Sequence, residues 1–407
     1  MEKIIKSILA LTLVCMLCVS CGGDEIIKIT EPMPTNPIQQ ALSKMPLSIM
    51  DLPGRDLKMK AFIFNNIELT AKSRNLANYM LVNENEQISW LFKMGHNVTS
   101  SMNSVIDFGK WHHTEFMNQT TWKMNIFDYT RDHEVVFSKS DKDEFLTWML
   151  RHNFEVFKSE PALTLKPGSV YHRDAYVFGA GIVQGEDGAT FICRELPTDG
   201  TVDDALAIYE GTMGSLLSDP EIYEISSRIP EGAFSSMICK LDTSYAKHNQ
   251  VTTADSTGFS GVPLTDEQTV WVSVYGRPKE LTWFSASHIT KDGHHGLLWE
   301  FQYDTPEAAE ADLTPLTDAI AGAKGRFTEK NWWSEDLYLN APEITVDGKI
   351  ITLWSEWIIP IEEKQKIESG EMTEEEKETL WFKYVRSIFD LFDKFERQDY
   401  GPLWQGY

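Results

Sequence analysis

At two places in this chain, strand-length apolar runs flank a tight Gly-containing turn. Residues 175–183 and 189–196 surround Gly185-Glu186-Asp187-Gly188, and residues 281–290 and 297–303 surround Lys291-Asp292-Gly293. Runs of this type joined by so few residues pair as antiparallel hairpins. Each hairpin leads through helical segments to a returning strand. In the first, Thr201 caps a helix over 202–210 and Pro220 opens another over 220–228, ahead of a strand over 233–241. In the second, Thr305-Pro306 and Thr314-Pro315 open two helices ahead of a strand over 349–357. This order favours an α+β fold, with antiparallel sheets and helices packed on one face. Gly188 and Gly293 lie 105 positions apart (293 − 188), which suggests two related tandem units, although the second carries extra residues around 332–340. A first domain is expected over 38–243 and a second over 262–360, with the polar, Gly/Ser/Thr-rich stretch 244–261 as a linker.

Ahead of the first hairpin, residues 60–69, 88–94 and 133–137 form mixed apolar stretches, and Ser140 and Asp141 read as caps of a helix carrying Phe145, Trp148, Met149 and His152. The far end differs in character. After the charge run 362–378, Thr373 and Glu376 make a capping box for a helix over 373–397. At 100° per residue Trp381, Val385, Ile388, Phe392 and Phe395 fall in a stripe about 80° wide. Its polar side lacks the Lys/Arg excess of a membrane-surface helix, so docking on the protein's own sheet is the expectation.

The first 21 residues, MEKIIKSILALTLVCMLCVSC, place Lys3 and Lys6 before an apolar run from Ile8 to Val19, with Ser20 ahead of Cys21. That is the layout of a secretory signal peptide over 1–20. At 12 residues the run is well short of the ~20 needed to span a bilayer. Leu17-Cys18-Val19-Ser20-Cys21 resembles the lipobox of bacterial lipoproteins, departing from it at Cys18, where leucine is preferred. The resemblance implies cleavage before Cys21 and lipidation of that cysteine by diacylglycerol and an amide-linked acyl chain such as palmitate. At ~0.8 kcal/mol per buried CH₂, such chains anchor a protein firmly. Residues 21–37, rich in Gly, Pro, Asn and Thr, read as an extended tether.

Lys+Arg 37 against Asp+Glu 61 gives a formal charge of −24, and removal of Glu2, Lys3 and Lys6 with the signal leaves −25. A surface so acidic repels phosphate backbones, which argues against nucleic acid as a partner. The chain has no Gly-x-Ser-x-Gly elbow, phosphate-cradling glycine loop, His-Glu-x-x-His or calcium-loop motif, so no cofactor, metal or catalytic residue is assigned. The pairs His112-His113 and His294-His295 supply adjacent strand residues that point to opposite faces, and the second pair is expected in solvent beside Gly293.

Among 13 tryptophans, Trp332 and Trp333 stand out, flanked by Lys330, Asn331 and Ser334, as an exposed aromatic pair for a protein, peptide or sugar. Cys193 and Cys239 are the cysteines of the exported body. They read either as a disulfide closing a loop of 46 residues (239 − 193), worth ~3–4 kcal/mol, or as buried free thiols.

The segments His172-Arg173-Asp174-Ala175-Tyr176, GTMGSL over 211–216 and Arg228-Ile229-Pro230-Glu231-Gly232 carry a resemblance to uncharacterised lipoproteins of Chloroflexi-type bacteria. It covers residues 135–241 and supports the fold and the anchor without implying an activity. The expected function is therefore a lipid-anchored extracytoplasmic protein of the cell envelope, a ligand- or partner-binding module. The alternative is a membrane-anchored hydrolase whose carboxylates and histidines meet only in the fold.

Overall fold

The computed structural model describes residues 29, 31–48, 59–69, 120–128, 131–139, 142–151, 154–158, 163–167, 179–185, 188–194, 201–241, 281–325 and 328–373, and within 375–394 residues 375–377, 380, 388, 391 and 394. The signal and Cys21, the linker over 244–261, His112-His113, the stretch 88–94, the caps Ser140 and Asp141, and the segment His172–Tyr176 lie outside them.

The elements run in the order α1 Pro37–Leu42, β1 Met59–Asn66, β2 Thr120–Asp128, β3 Arg131–Ser138, α2 Lys142–Arg151, β4 Phe154–Lys158, β5 Leu163–Pro167, β6 Gly179–Gln184, β7 Ala189–Arg194, α3 Thr201–Tyr209, α4 Pro220–Ser227, β8 Ser235–Leu241, β9 Leu281–Lys291, β10 His294–Tyr303, α5 Pro306–Gly322, β11 Glu343–Asp347, β12 Ile350–Glu356 and α6 Ile361–Ser369. The twelve strands form one antiparallel sheet in the order β11-β12-β10-β9-β8-β1-β2-β3-β7-β6-β5-β4. Both expected hairpins are present. The β9–β10 turn is two residues, Asp292 at φ 53° and Gly293 at φ 83°, the positive pair that matches the twist of the flanking strands.

The α+β class is as the sequence implies, and the helices take both faces of the sheet. Alternate residues of each strand feed two cores. Ala61, Ile63, Met237, Cys239, Phe284, Trp299, Phe301 and Leu353 pack under α5, whereas Phe62, Phe64, Trp122, Ile238 and Trp283 pack under α1, α3 and α4. The returning strands also differ. Strand β12 lies beside β10, but β8 stands apart from β7 with β1, β2 and β3 between them, so the topology does not repeat between the two expected units.

The same order removes the disulfide. Four strand spacings of ~4.8 Å separate β7 from β8, about 19 Å, far beyond the ~7 Å limit between bridged Cα atoms. Cys239 is a buried free thiol, paired in register with Ala61, and burial pushes its pKa well up.

Two helices expected over 306–322 are one. Pro315 is exposed while Asp312, Leu316, Ala319 and Ile320 are buried, so its ring and missing N–H face solvent and the apolar stripe continues past it. The buried Asp312 accepts a hydrogen bond of 2.7 Å from the Tyr303 hydroxyl on β10.

The charge run contains α6, ended by Gly370 at φ 71°, and the capping box follows. Thr373 N donates to Glu376 Oε2 at 2.9 Å and Glu376 N donates to Thr373 Oγ1 at 3.2 Å. Ile388 and Leu391 are buried in the core on the α5 face; Trp381, Val385, Phe392 and Phe395 of the expected stripe lie outside the described residues.

The chain joins the body earlier than residue 37. Ile29 N donates to Gly211 O at 3.0 Å, and the Glu31 carboxylate accepts from both the backbone N and the hydroxyl of Ser215. The first described contact with the body thus comes at Ile29, eight positions after Cys21.

Candidate functional site

The aromatic pair is not at the surface. Trp332 is 0% and Trp333 2% exposed, both against Trp299 of β10, with ring centroids 6.3 and 5.3 Å from it. They begin a single turn, Trp332–Asp336, with i→i+5 hydrogen bonding from Asp336 N to Asn331 O and from Leu337 N to Trp332 O. The polar neighbours that suggested exposure are used locally. Asn331 Oδ1 caps Trp333 N and Ser334 N, and the wide turn swings both rings inward. Trp333 Nε1 then donates to Asn340 O at 2.8 Å, while Lys394 pairs with Asp336 and lies over Trp332.

What the fold does gather is a histidine pair and an ionic clasp. His288 on β9 is fully buried on the α5 face, and His295, two residues into β10, lies on the same face. His288 Nε2 is 3.3 Å from His295 Nδ1, which is also 3.2 Å from Thr290 Oγ1. Phe234 and Trp357 pack their rings against His288 at 4.9 and 5.1 Å.

Sequence alternation separated the pair His294-His295 correctly, but not its environment. His294 is exposed, 3.7 Å from Glu356, whereas His295 is half-buried rather than in solvent. Burial holds His288 well below its ordinary value of 6.5, helped by the neighbouring His295, and lowers His295 as well. Two neutral imidazoles fit this site: with Nδ1 of His295 as acceptor, its single lone pair takes a hydrogen bond from either the His288 N–H or the Thr290 hydroxyl.

The consequence for stability follows from the sign. The folded pKa values are depressed, so the contribution is complete above about 6.5 and is lost as pH falls, because the unfolded chain then binds protons that the native site refuses. Urea unfolding is expected to show stability declining below about pH 6.5, by up to ~1.4 kcal/mol per pH unit from His288. His288→Gln should flatten that slope; an unchanged slope would place the effect elsewhere.

The clasp lies on the opposite face. Asp219 caps α4 through the N–H groups of Glu221 and Ile222, and positions Glu221, Glu224 and Arg228 follow at helical spacing. Glu221 accepts from Trp283 Nε1 at 2.8 Å and from Lys240 at 3.4 Å, Glu224 pairs with Lys349 at 2.7 Å, and Arg228 Nε donates to Glu300 at 2.9 Å with Asp347 3.7 Å away. Hydrogen bonding from Trp283 and the charge of Lys240 hold Glu221 below the usual carboxylate range, whereas burial pushes Glu300 up despite Arg228. From its first turn to its C-cap, α4 thus ties strands β8, β9, β10 and β11 and the β11–β12 turn together. No sequence motif marks it, because its partners come from residues 221–349; only the i, i+3, i+7 charges on α4 were visible.

Among the described residues there is no cluster of three or more His, Cys, Asp or Glu side chains able to hold a metal ion, and no helix long and apolar enough to cross a membrane. Compared with known proteins, the chain matches no family model and no curated protein. Two crystal structures of TP0453 are similar to it. Crystal form IV has 10% identity over 80% of this chain and 96% of that one, with a TM-score of 0.36, and crystal form I has 9% identity over 81% and 98%, with a TM-score of 0.35. The chemistry of the site rests on the chain's own residues.

Proposed function

We propose that this chain is exported, cleaved ahead of Cys21 and held at a membrane of the cell envelope by lipid on that cysteine, its α+β body serving as a ligand- or partner-binding module. The observation that carries the reading is the basic, apolar, small-residue order that ends at Cys21. Binding is favoured over hydrolysis because the carboxylates that the fold gathers, Glu221, Glu224, Glu300 and Asp347, each face a lysine or arginine and hold α4 to the sheet. Labelling with radioactive palmitate, with and without globomycin, tests the anchor: label and processing are expected in the parent and absent in Cys21→Ser. Label persisting in Cys21→Ser overturns the assignment.

A further inference from the structure

We propose that the face carrying α1, α3 and α4 lies against the bilayer that holds Cys21, with Ile29 and Met33 at the lipid–water boundary and α5 directed away. The inference rests on lipidation at Cys21, and its geometry comes from where the chain first meets the body.

Beyond the two contacts made by Ile29 and Glu31, Asn36 Nδ2 donates to Ser226 O at 2.8 Å and to Ile229 O at 3.0 Å, and Gln39 Nε2 donates to Ser226 Oγ at 3.1 Å. Residues 29–39 are thus strapped along the α3–α4 layer at several points. Slack in this segment requires breaking the hydrogen bonds of Ile29 and Glu31, and beyond them the buried ones of Asn36 and Gln39.

Eight Cα steps separate Cys21 from Ile29. Even fully extended they reach about 26–29 Å. The sheet alone is roughly 53 Å wide across twelve strands at ~4.8 Å spacing. A leash about half that width cannot pass around the molecule, so the strapped face is the one that can meet the headgroups. Helix α5 packs on the other side of the sheet.

The surface at the strap suits that position. Met33 is 82% and Ile29 43% exposed, and the loop 211–215 that receives the strap, Gly-Thr-Met-Gly-Ser, carries no charge. Elsewhere a body of net charge −25 is pushed away from anionic headgroups. Exposed carboxylates occur on both faces, Glu307, Glu310 and Asp318 on α5 and Glu210, Glu221 and Glu231 beside α3 and α4, so the exposed apolar pair and the strap, not charge, distinguish the two.

The test places a genetically encoded coumarin side chain at position 33 or at position 310. The lipidated protein is then reconstituted in phosphatidylcholine vesicles containing headgroup-region nitroxide lipid. Quenching is expected to be severalfold stronger at 33 than at 310. Equal quenching at the two positions, or stronger quenching at 310, overturns the orientation. Protein isolated without lipid would instead be a failure of the anchor assignment. The same two probes, on a chain coupled through Cys21 to a maleimide lipid, still read the orientation in that case.

Discussion

Trp332→Ala is expected to destabilise the protein by about 3–5 kcal/mol in urea unfolding, the range for deleting a large aromatic ring from a packed core. The ring is fully buried against Trp299 and Trp333, with Lys394 Nζ 6.0 Å from its centroid, and its backbone N–H donates to Ala323 O at 2.8 Å, joining the turn to the C-terminal end of α5. Collapse around the cavity would have to move β10, which is held on both sides by β9 and β12. Trp332→Phe keeps most of the apolar contact and should cost markedly less. A loss below ~0.5 kcal/mol for the alanine variant is the behaviour of a surface ring and would contradict the burial.

The second large effect concerns Arg228. Its partner Glu300 is 4% exposed, so Arg228→Ala leaves a buried carboxylate without its guanidinium, a change that costs about 3–5 kcal/mol in buried pairs and here falls toward the lower end because Arg228 is partly exposed. The pH dependence identifies the cause. Burial already raises the folded pKa of Glu300 above its ordinary 4.5, so its contribution is most favourable below about that pH and declines as pH rises through the folded value. Removing the arginine raises the folded value further and steepens that decline. The variant should therefore differ most from the parent near neutrality and least near pH 4. Arg228→Met combined with Glu300→Gln is expected to recover most of the loss; if it does not, packing by the arginine stem rather than charge explains the effect.

Local chemistry made some of this architecture legible. Asp292-Gly293 specified its hairpin, and Thr373 and Glu376 their reciprocal cap. Those features are decided within a few residues. The environment of Trp332 and Trp333 was not, because their inward rotation depends on an i→i+5 turn and on Trp299, more than thirty positions away. Pro315 misled for a related reason: its effect depends on which side of α5 faces solvent. The histidine pair was half visible. Alternation separated His294 from His295, but only the register of β9 with β10 brings His288 to His295. Cys193 and Cys239 sat in strands as expected, and the order of those strands, which no local signal encodes, decided that they stay apart.

The central position of β1 has a kinetic consequence. Its register joins Ala61 to Cys239 on β8, 178 positions along the chain (239 − 61), and everything from β9 to β12 is then added onto β8. Closing so long a loop delays the contacts that reward it, which places such a sheet among slow folders. Until that loop closes, β8 and β1 each present an open edge, and unpaired edges invite association between chains. Fastening the N-terminus to a surface would keep neighbouring copies from meeting freely in three dimensions during that interval.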